Sequence, residues 1–267
     1  MRVAFYTNSA AGSIFCIGAL PDDANRHRRR ILIVPPFAEE MNKSRHVLAA
    51  IVRTAASAGH QVLLPDLFGT GDSSGDFGDS TVDIWRSDLD SALACMRPTL
   101  PLDVVGLRYG ALLAADLATR HATRALTLLQ PVCDGRNQLT QMLRLRLATA
   151  LMGSREKETV SGLRQRLHDG EALEVAGYRL SRELAIGLES LSLADLSLQN
   201  VSRVHWIEMA TQADRPLMPA SQRIVNAWSA KGVTIDSSVV VCDQFWATQE
   251  IAHCPTVVDR IAQLFSG

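Results

Sequence analysis

The chain has 267 residues, which is enough for one large domain or for a domain that carries an inserted subdomain. Hydrophobic residues make up 47% of it and charged residues 21%, which excludes disordered, collagen-like and coiled-coil proteins. The net charge of −1 favours neither nucleic acid nor an anionic membrane as a partner, and no apolar run in the sequence is long enough to span a bilayer.

The N-terminal part is predicted to form two strands, at 2–7 and 13–20, joined by a segment of turn composition. Only one basic residue, Arg2, precedes the second, apolar segment, so we interpret it as a strand rather than a signal peptide. Residues 21–30 are predicted to be a polar loop, and we interpret the basic run at its end, residues 26–30, as a solvated edge.

From residue 31 onward, short apolar runs alternate with segments whose apolar residues recur at helical spacing. The predicted strands are 31–34, 61–64, 102–105 and 125–129, and the predicted helices are 43–59, 81–97 and 111–121. Strands that are apolar throughout are typical of parallel sheets buried on both faces. This order predicts βαβ units and therefore a doubly wound α/β sheet.

The alternation stops at about Gly135 and resumes near residue 203. Residues 137–198 contain no convincing strand, and they are predicted to form helices at 138–152, 159–168 and 180–188. Beyond them, strands are predicted at 203–209 and 235–242, and helices at 220–231 and 256–265. We therefore predict an α/β core made of 1–135 and 199–267, with a helical cap inserted at 136–198.

The five cysteines are scattered without C-x-x-C spacing: Cys16, Cys95, Cys133, Cys242 and Cys254. Because their number is odd and the chain is too large to need cross-links, we predict reduced, mostly buried thiols and a cytoplasmic protein. No cluster of histidines and cysteines at ligand spacing accompanies them, so we predict no metal site and no cofactor.

A tight strand-to-helix turn is predicted at Gly106-Leu-Arg-Tyr-Gly110. The two glycines let the helix pack close to the strand while the central residue takes a strained conformation. This is the frame of the nucleophile elbow G-x-S-x-G, with Arg108 in place of the serine. A guanidinium is always charged and only donates hydrogen bonds, so Arg108 cannot attack a carbonyl.

With this turn, the chain resembles the α/β-hydrolase family over nearly its whole length. The stretches Val34-Pro-Pro-Phe-Ala-Glu-Glu-Met-Asn42 and Pro65-Asp-Leu-Phe-Gly-Thr-Gly-Asp-Ser73 match the family's oxyanion loop and its P-D-x-x-G-x-G-x-S segment. The insertion falls where the family has its lid, and 213–219 falls where it carries its catalytic acid. The resemblance implies a mostly parallel central sheet with helices on both faces, and hydrolysis of an ester, thioester or acyl linkage.

Three stretches are similar, more narrowly, to exosortase A system-associated hydrolases of type 2, which are named for bacteria that pair an exosortase with exopolysaccharide genes. They are Pro35-Pro-Phe-Ala-Glu-Glu-Met-Asn-Lys-Ser-Arg45, Gly106-Leu-Arg-Tyr-Gly-Ala111 and Phe245-Trp-Ala-Thr-Gln-Glu-Ile251.

The resemblance also implies positions for the catalytic groups. The oxyanion donors would be the backbone N–H of Tyr109 and one from the Phe37–Ala38 region, and Asp214 would be the acid. The base is expected just after the last strand, where this chain has Phe245. The nucleophile and the base are therefore both absent by residue type. Ser13, Ser73, His46 and Cys242 are other conceivable reactive groups, and we interpret all four as structural.

Two alternatives stay open for Arg108, which should point into the pocket at the carboxyl ends of the strands. In the first, a carboxylate of Glu39, Glu40 or Asp214 neutralises it and closes the pocket. In the second, it binds a carboxylate, phosphate or acidic sugar, with Asp243 and Trp246 as further ligand-binding candidates. Arginines of the cap would favour such an anion if they faced the cleft: Arg144, Arg146, Arg155, Arg164 and Arg166.

Two functions therefore compete. The first is hydrolysis through an unrecognised nucleophile. The second is a non-catalytic pseudo-hydrolase that binds an anionic or glycan-related small molecule, or a partner protein, in the exopolysaccharide pathway. A homodimer is left open in either case.

Overall fold

The structure is a computed structural model that describes residues 2–20, 29–150, 158–248, 250 and 253–266. Its strands are β1 (Arg2–Asn8), β2 (Ser13–Ala19), β3 (Arg30–Val34), β4 (Gln61–Pro65), β5 (Leu102–Leu107), β6 (Thr123–Leu129), β7 (Leu173–Val175), β8 (Tyr178–Leu180), β9 (Val201–Ala210) and β10 (Ile235–Val241). Its α-helices are α1 (Ala38–Ser57), α2 (Val82–Ala94), α3 (Tyr109–Arg120), α4 (Gly135–Ala150), α5 (Val160–His168), α6 (Arg182–Glu189), α7 (Pro219–Ala230) and α8 (Pro255–Ser266).

Eight strands form one central sheet in the order β1-β2-β4-β3-β5-β6-β9-β10. The strands from β4 to β10 run parallel, whereas β2 pairs antiparallel with both β1 and β4. Apolar side chains of α1 and α8 form a core on one face of this sheet, and those of α2, α3 and α7 form a core on the other. The predicted α/β sheet with helices on both faces is confirmed.

The insertion lies between β6 and β9 and contains α4, α5, α6 and one antiparallel hairpin, β7–β8. The prediction that this region contains no strand is therefore wrong. Each strand has only three residues, too few to show an alternating pattern. The connecting residues Ala176 and Gly177 both have positive φ, 49° and 83°, as a tight two-residue hairpin turn requires. The last two residues of the predicted helix at 138–152 lie outside the described residues.

The basic run at 26–30 is only partly described, because residues 26–28 lie outside the described ranges. Arg29 is buried, and its guanidinium lies 3.5 Å from the carboxylate of Asp103 on the neighbouring strand β5. Arg124 reaches the same carboxylate from β6. The prediction of a solvated edge is thus wrong for Arg29, because β3 begins beside the strand that carries its acidic partner.

Two of the five cysteines form a disulfide, Cys242–Cys254, with 6.0 Å between their Cα atoms. The prediction of reduced thiols is wrong for this pair, since the chain turns back after β10 and brings the start of α8 beside the end of the strand. Cys16, Cys95 and Cys133 are free, and burial raises the pKa of Cys16 to about 12.

Within the described parts of the chain, no helix combines the length and the apolar composition needed to cross a bilayer.

Candidate functional site

The turn between β5 and α3 has the strained geometry that the glycine spacing predicts. Arg108 has φ 57° and ψ −122°, a conformation that side-chain-bearing residues rarely adopt. A Cβ atom on Gly110 would lie 2.3 Å from the carbonyl oxygen of Pro35, and one on Gly106 would lie 2.5 Å from the Cα of Ala111. Both positions therefore require glycine, and they hold α3 close to β3 and β5.

The side chain of Arg108 is enclosed by three groups. Its Nε and Nη2 donate to one oxygen of Glu40, Oε1, at 3.1 and 3.0 Å. Its Nη1 donates to the carbonyl oxygen of Gln130 at 3.4 Å, and the guanidinium carbon lies 5.3 Å from the ring centroid of Trp246. The Arg108 side chain is only 12% exposed, and that of Glu40 is 21% exposed. Of the alternatives for Arg108, the structure shows neutralisation by Glu40.

The position expected for the base holds a buried ring. Phe245 has no exposed surface and packs edge-on against Trp246, with 5.2 Å between the ring centroids. It belongs to the apolar core on the α1 and α8 face of the sheet. A phenyl ring neither accepts nor donates a proton, so this position supplies packing and holds Trp246 beside Arg108.

The predicted oxyanion residues lie at two helix N-termini, where the first N–H groups of a helix have no intrahelical partner. Phe37 and Ala38 lie at the start of α1, and Ala38 has a positive φ of 54°. Tyr109 is the first residue of α3, and its side chain is buried. The Tyr109 hydroxyl donates to the carbonyl oxygen of Leu188 in the cap, and burial raises its pKa well above the ordinary tyrosine value.

The two predicted aspartates lie apart from Arg108. Asp214 is exposed in the turn after β9 and lines a surface groove with Arg215 and Ser238. Asp243 is exposed in the segment after β10. Among the ion pairs of the described residues, neither aspartate joins Arg108, whose carboxylate partner is Glu40.

The structure brings in Gln130, a residue that the sequence analysis missed. It follows β6 directly, with a positive φ of 40°, and its buried side-chain oxygen accepts the backbone N–H of Met209 at 2.6 Å. This bond and the one from Arg108 tie the elbow to β6 and β9. A polar residue immediately after a largely apolar strand is the signal that the sequence offers, because such residues meet at the carboxyl edge of a parallel sheet.

The other conceivable reactive groups have structural partners. The hydroxyl of Ser73 donates to the carbonyl oxygen of Asp66 at 2.6 Å and accepts the N–H of Phe15 at 2.8 Å. Cys242 is in the disulfide, and the ring of His46 packs edge-on against that of His253, with 4.4 Å between centroids. Ser13 is in β2, where its hydroxyl contacts Asn8.

A cavity of about 110 Å³ lies between the start of α1 and the cap. Its core wall is residues 37–40, and its cap wall combines one face of α4 with the β7–β8 hairpin. The α4 residues recur at positions 138, 141, 142 and 145, which is the spacing of one helix face. The described residues that line it are Phe37, Ala38, Glu39, Glu40, Gln138, Gln141, Met142, Leu145, Val175, Ala176 and Tyr178.

Those cap arginines that the structure describes do not line this cavity. Arg146 and Arg166 both pair with Glu158, and Arg164 pairs with Glu189. Arg144 is exposed, and Arg155 lies outside the described residues. Among the described residues, no group of three or more metal-binding side chains could hold a metal ion.

No family model matches this sequence, and neither does any curated protein. Solved structures do match it. Est1E from Butyrivibrio proteoclasticus with bound ferulic acid is 15% identical with a TM-score of 0.68, and the match covers 98% of this chain and 96% of that one. The thioesterase domain from the curacin biosynthetic pathway is 16% identical with a TM-score of 0.59 over 99% of both chains.

A third match is α/β hydrolase domain-containing protein 10 from mouse, which is 15% identical with a TM-score of 0.61 over 98% of this chain and 96% of that one. At these identities the matches establish the fold alone. The eight-stranded, mostly parallel sheet and the helices on both of its faces agree with them. This chain therefore has the α/β-hydrolase fold.

Proposed function

We propose that this chain is a non-hydrolytic protein of the α/β-hydrolase fold that binds a small molecule in the cavity between its core and its cap. The observation that carries the proposal is the Arg108–Glu40 pair. It occupies the elbow, the place where a hydrolase of this fold presents its nucleophile.

Serine-hydrolase chemistry needs a nucleophile and a base that takes its proton. Here the elbow holds a guanidinium bound to a carboxylate, and the expected base position holds the buried ring of Phe245. The hydroxyl of Ser73 is occupied by two backbone partners, and Cys242 is in a disulfide. The cavity, by contrast, is open to a ligand and has both polar and apolar walls.

Hydrolysis is the second candidate, and the elbow backbone favours it. The turn keeps the positive φ of 57° that aims residue 108 toward the carboxyl edge of the sheet, and the oxyanion residues remain at helix N-termini. Est1E and the curacin thioesterase domain share this fold. If this candidate is correct, a nucleophile other than residue 108 must act.

The narrower resemblance, to exosortase A system-associated hydrolases of type 2, is also part of the proposal. Its support is a contact site to which each of the three stretches that carry the resemblance contributes one residue. The Arg108 side chain contacts both Glu40 and Trp246. On this proposal the protein acts in exopolysaccharide production, as a ligand-binding member of that group.

The test is turnover of short-chain p-nitrophenyl esters and acyl thioesters, together with labelling by a serine-directed fluorophosphonate. We expect neither turnover above a heat-killed control nor label, both for the wild type and for Arg108→Ala. Arg144→Ala, which removes an exposed arginine of the cap, is the matched control. Label on a defined residue, or turnover that Arg108→Ala abolishes, would overturn the proposal in favour of hydrolysis.

A further inference from the structure

The charges that line the cavity point to the chemistry of its ligand. We propose that the cavity binds a small organic cation, a protonated amine that carries one apolar group. This inference rests on the proposed binding function, and it reverses the sequence-based expectation of an anionic ligand.

The first support is the sign of the lining charges. Two carboxylates, Glu39 and Glu40, line the cavity, and no basic side chain of the described residues does. Their counter-charges lie outside the lining: Lys43 lies 3.5 Å from Glu39, one helical turn further along α1, and Arg108 binds Glu40 through a single oxygen. A bound anion would face both carboxylates with no cation among the described lining residues, whereas a cation would be attracted by them.

The second support is the set of hydrogen-bond acceptors that have no donor. Gln138 lines the cavity and is only 5% exposed, and its side-chain oxygen Oε1 has no partner among the described residues. In the same part of the chain, the second carboxylate oxygen of Glu40, Oε2, is also buried without a partner. A buried acceptor that stays unpaired costs about 1–3 kcal/mol. An ammonium group carries three donors and no acceptor, so its chemistry matches a site whose unpaired polar atoms are acceptors.

The third support is the remaining wall. Phe37, Met142, Val175 and Tyr178 give the cavity apolar and aromatic sides. Aromatic faces attract organic cations in addition to binding apolar groups. The volume of about 110 Å³ is a little below that of an engineered cavity of roughly 150 Å³ that holds benzene. Leu145, another apolar lining residue, is 45% exposed. The site therefore suits an amine with one ring or a short chain.

The experiment compares three probes of nearly equal shape at pH 7: benzylammonium, benzyl alcohol and benzoate. Dissociation constants are measured by ligand-observed NMR titration. We expect benzylammonium to bind at least tenfold more tightly than benzoate, with benzyl alcohol between them.

Two variants test the residues of the site. Gln138→Leu keeps the side-chain volume and should weaken the binding of benzylammonium about tenfold. Glu39→Gln should weaken benzylammonium and strengthen benzoate, and it does not touch the buried core.

Glu183→Gln is the matched control, because Glu183 is an exposed carboxylate at the start of α6 away from the lining. Equal or tighter binding of benzoate would overturn the assignment of a cation and leave the proposed binding function in place. Binding that neither Gln138→Leu nor Glu39→Gln changes, or no binding of any probe, would also overturn it. Fluorophosphonate labelling instead reports on the proposed function, so the two failures are distinguishable.

Discussion

At the scale of single residues, the Arg108–Glu40 pair explains how a charged side chain is tolerated at the elbow. Burying an arginine without a partner is costly, so a carboxylate must accompany it. Glu40 meets this need from the first turn of α1, while Gln130 supplies a carbonyl oxygen and Trp246 an aromatic face. The guanidinium therefore contacts a carboxylate, a backbone carbonyl and an aromatic ring.

The first prediction concerns this pair. Glu40→Gln should lower the free energy of unfolding by about 2 kcal/mol, since hydrogen bonds to charged groups contribute about 1.5–3 kcal/mol. The double variant Arg108→Met/Glu40→Gln should lose less than Glu40→Gln alone, because no unpaired charge remains. Urea unfolding followed by circular dichroism measures both.

Glu39→Gln is the control for this prediction. Glu39 is 43% exposed and pairs with Lys43 at 3.5 Å, so its loss should cost no more than about 0.5 kcal/mol. If Glu39→Gln and Glu40→Gln proved equally destabilising, the special role of the elbow pair would be refuted.

At the scale of elements, the β7–β8 hairpin matters because it forms part of the cavity wall. Its turn places Ala176 at a φ of 49°, where an alanine is strained, and Gly177 at 83°. A Cβ atom on Gly177 would have no neighbour within 4 Å. Substitutions at these two positions therefore test the backbone conformation of the turn. At position 177 an added Cβ atom changes no packing contact, so only the backbone conformation is affected.

The second prediction is a pair of opposite effects. Ala176→Asn creates the Asn-Gly sequence that this turn prefers, and it should raise the free energy of unfolding by about 0.5 kcal/mol. Gly177→Ala should lower it by about 1–2 kcal/mol, the cost of a left-handed conformation. Thermal and urea unfolding of the two variants measures the sign. Changes of the same sign in both would contradict the assigned turn.

At the scale of the whole molecule, the carboxyl edge of the sheet is where distant parts of the chain meet. The start of α1, the turn after β5, the residue after β6 and the segment after β10 all contribute to the environment of Arg108. The disulfide Cys242–Cys254 closes the last of these segments, since it joins the end of β10 to the start of α8.

The third prediction follows from this disulfide. Thiol titration in denaturant without reductant should find three free thiols in each chain, from Cys16, Cys95 and Cys133. Reduction should lower the free energy of unfolding by about 3 kcal/mol, because the bond closes a short loop in the unfolded chain. The variant Cys95→Ala should leave the effect of reductant unchanged. Five free thiols would show that the bond does not form.

The sequence predicted those features whose causes are local. Apolar runs and helical spacing gave the order of the core elements, and the spacing of Gly106 and Gly110 gave the turn that holds Arg108. The sequence offers three carboxylates as the partner of Arg108, those of Glu39, Glu40 and Asp214, and it does not decide among them. The choice of Glu40 depends on how α1 begins, since Ala38 and its positive φ set the direction of the helix.

The remaining features depend on tertiary contacts that spacing does not encode. Gln138 reads as a polar residue of a cap helix, and its buried, unpartnered oxygen becomes evident only once the cap lies on the core. The hairpin strands are too short for a pattern, and the pairing of Cys242 with Cys254 depends on the return of the chain after β10. The expectation of an anionic ligand rests on Arg108 and on the arginines of the cap, and the sequence does not show that carboxylates pair with Arg108, Arg146, Arg164 and Arg166.

The elbow backbone also has hydrogen bonds that do not involve the side chain at its centre. Gly106 and Gly110 fix the approach of α3, and the N–H and carbonyl groups of Arg108 bond to Leu129 and Val132. Position 108 can therefore hold different side chains, provided that they tolerate its positive φ. Related proteins can differ in the reactive group at this position while they keep the same fold. Hydrolysis by a triad at these positions would require at least two substitutions. A nucleophile at position 108 would still lack a base until Phe245 was also replaced.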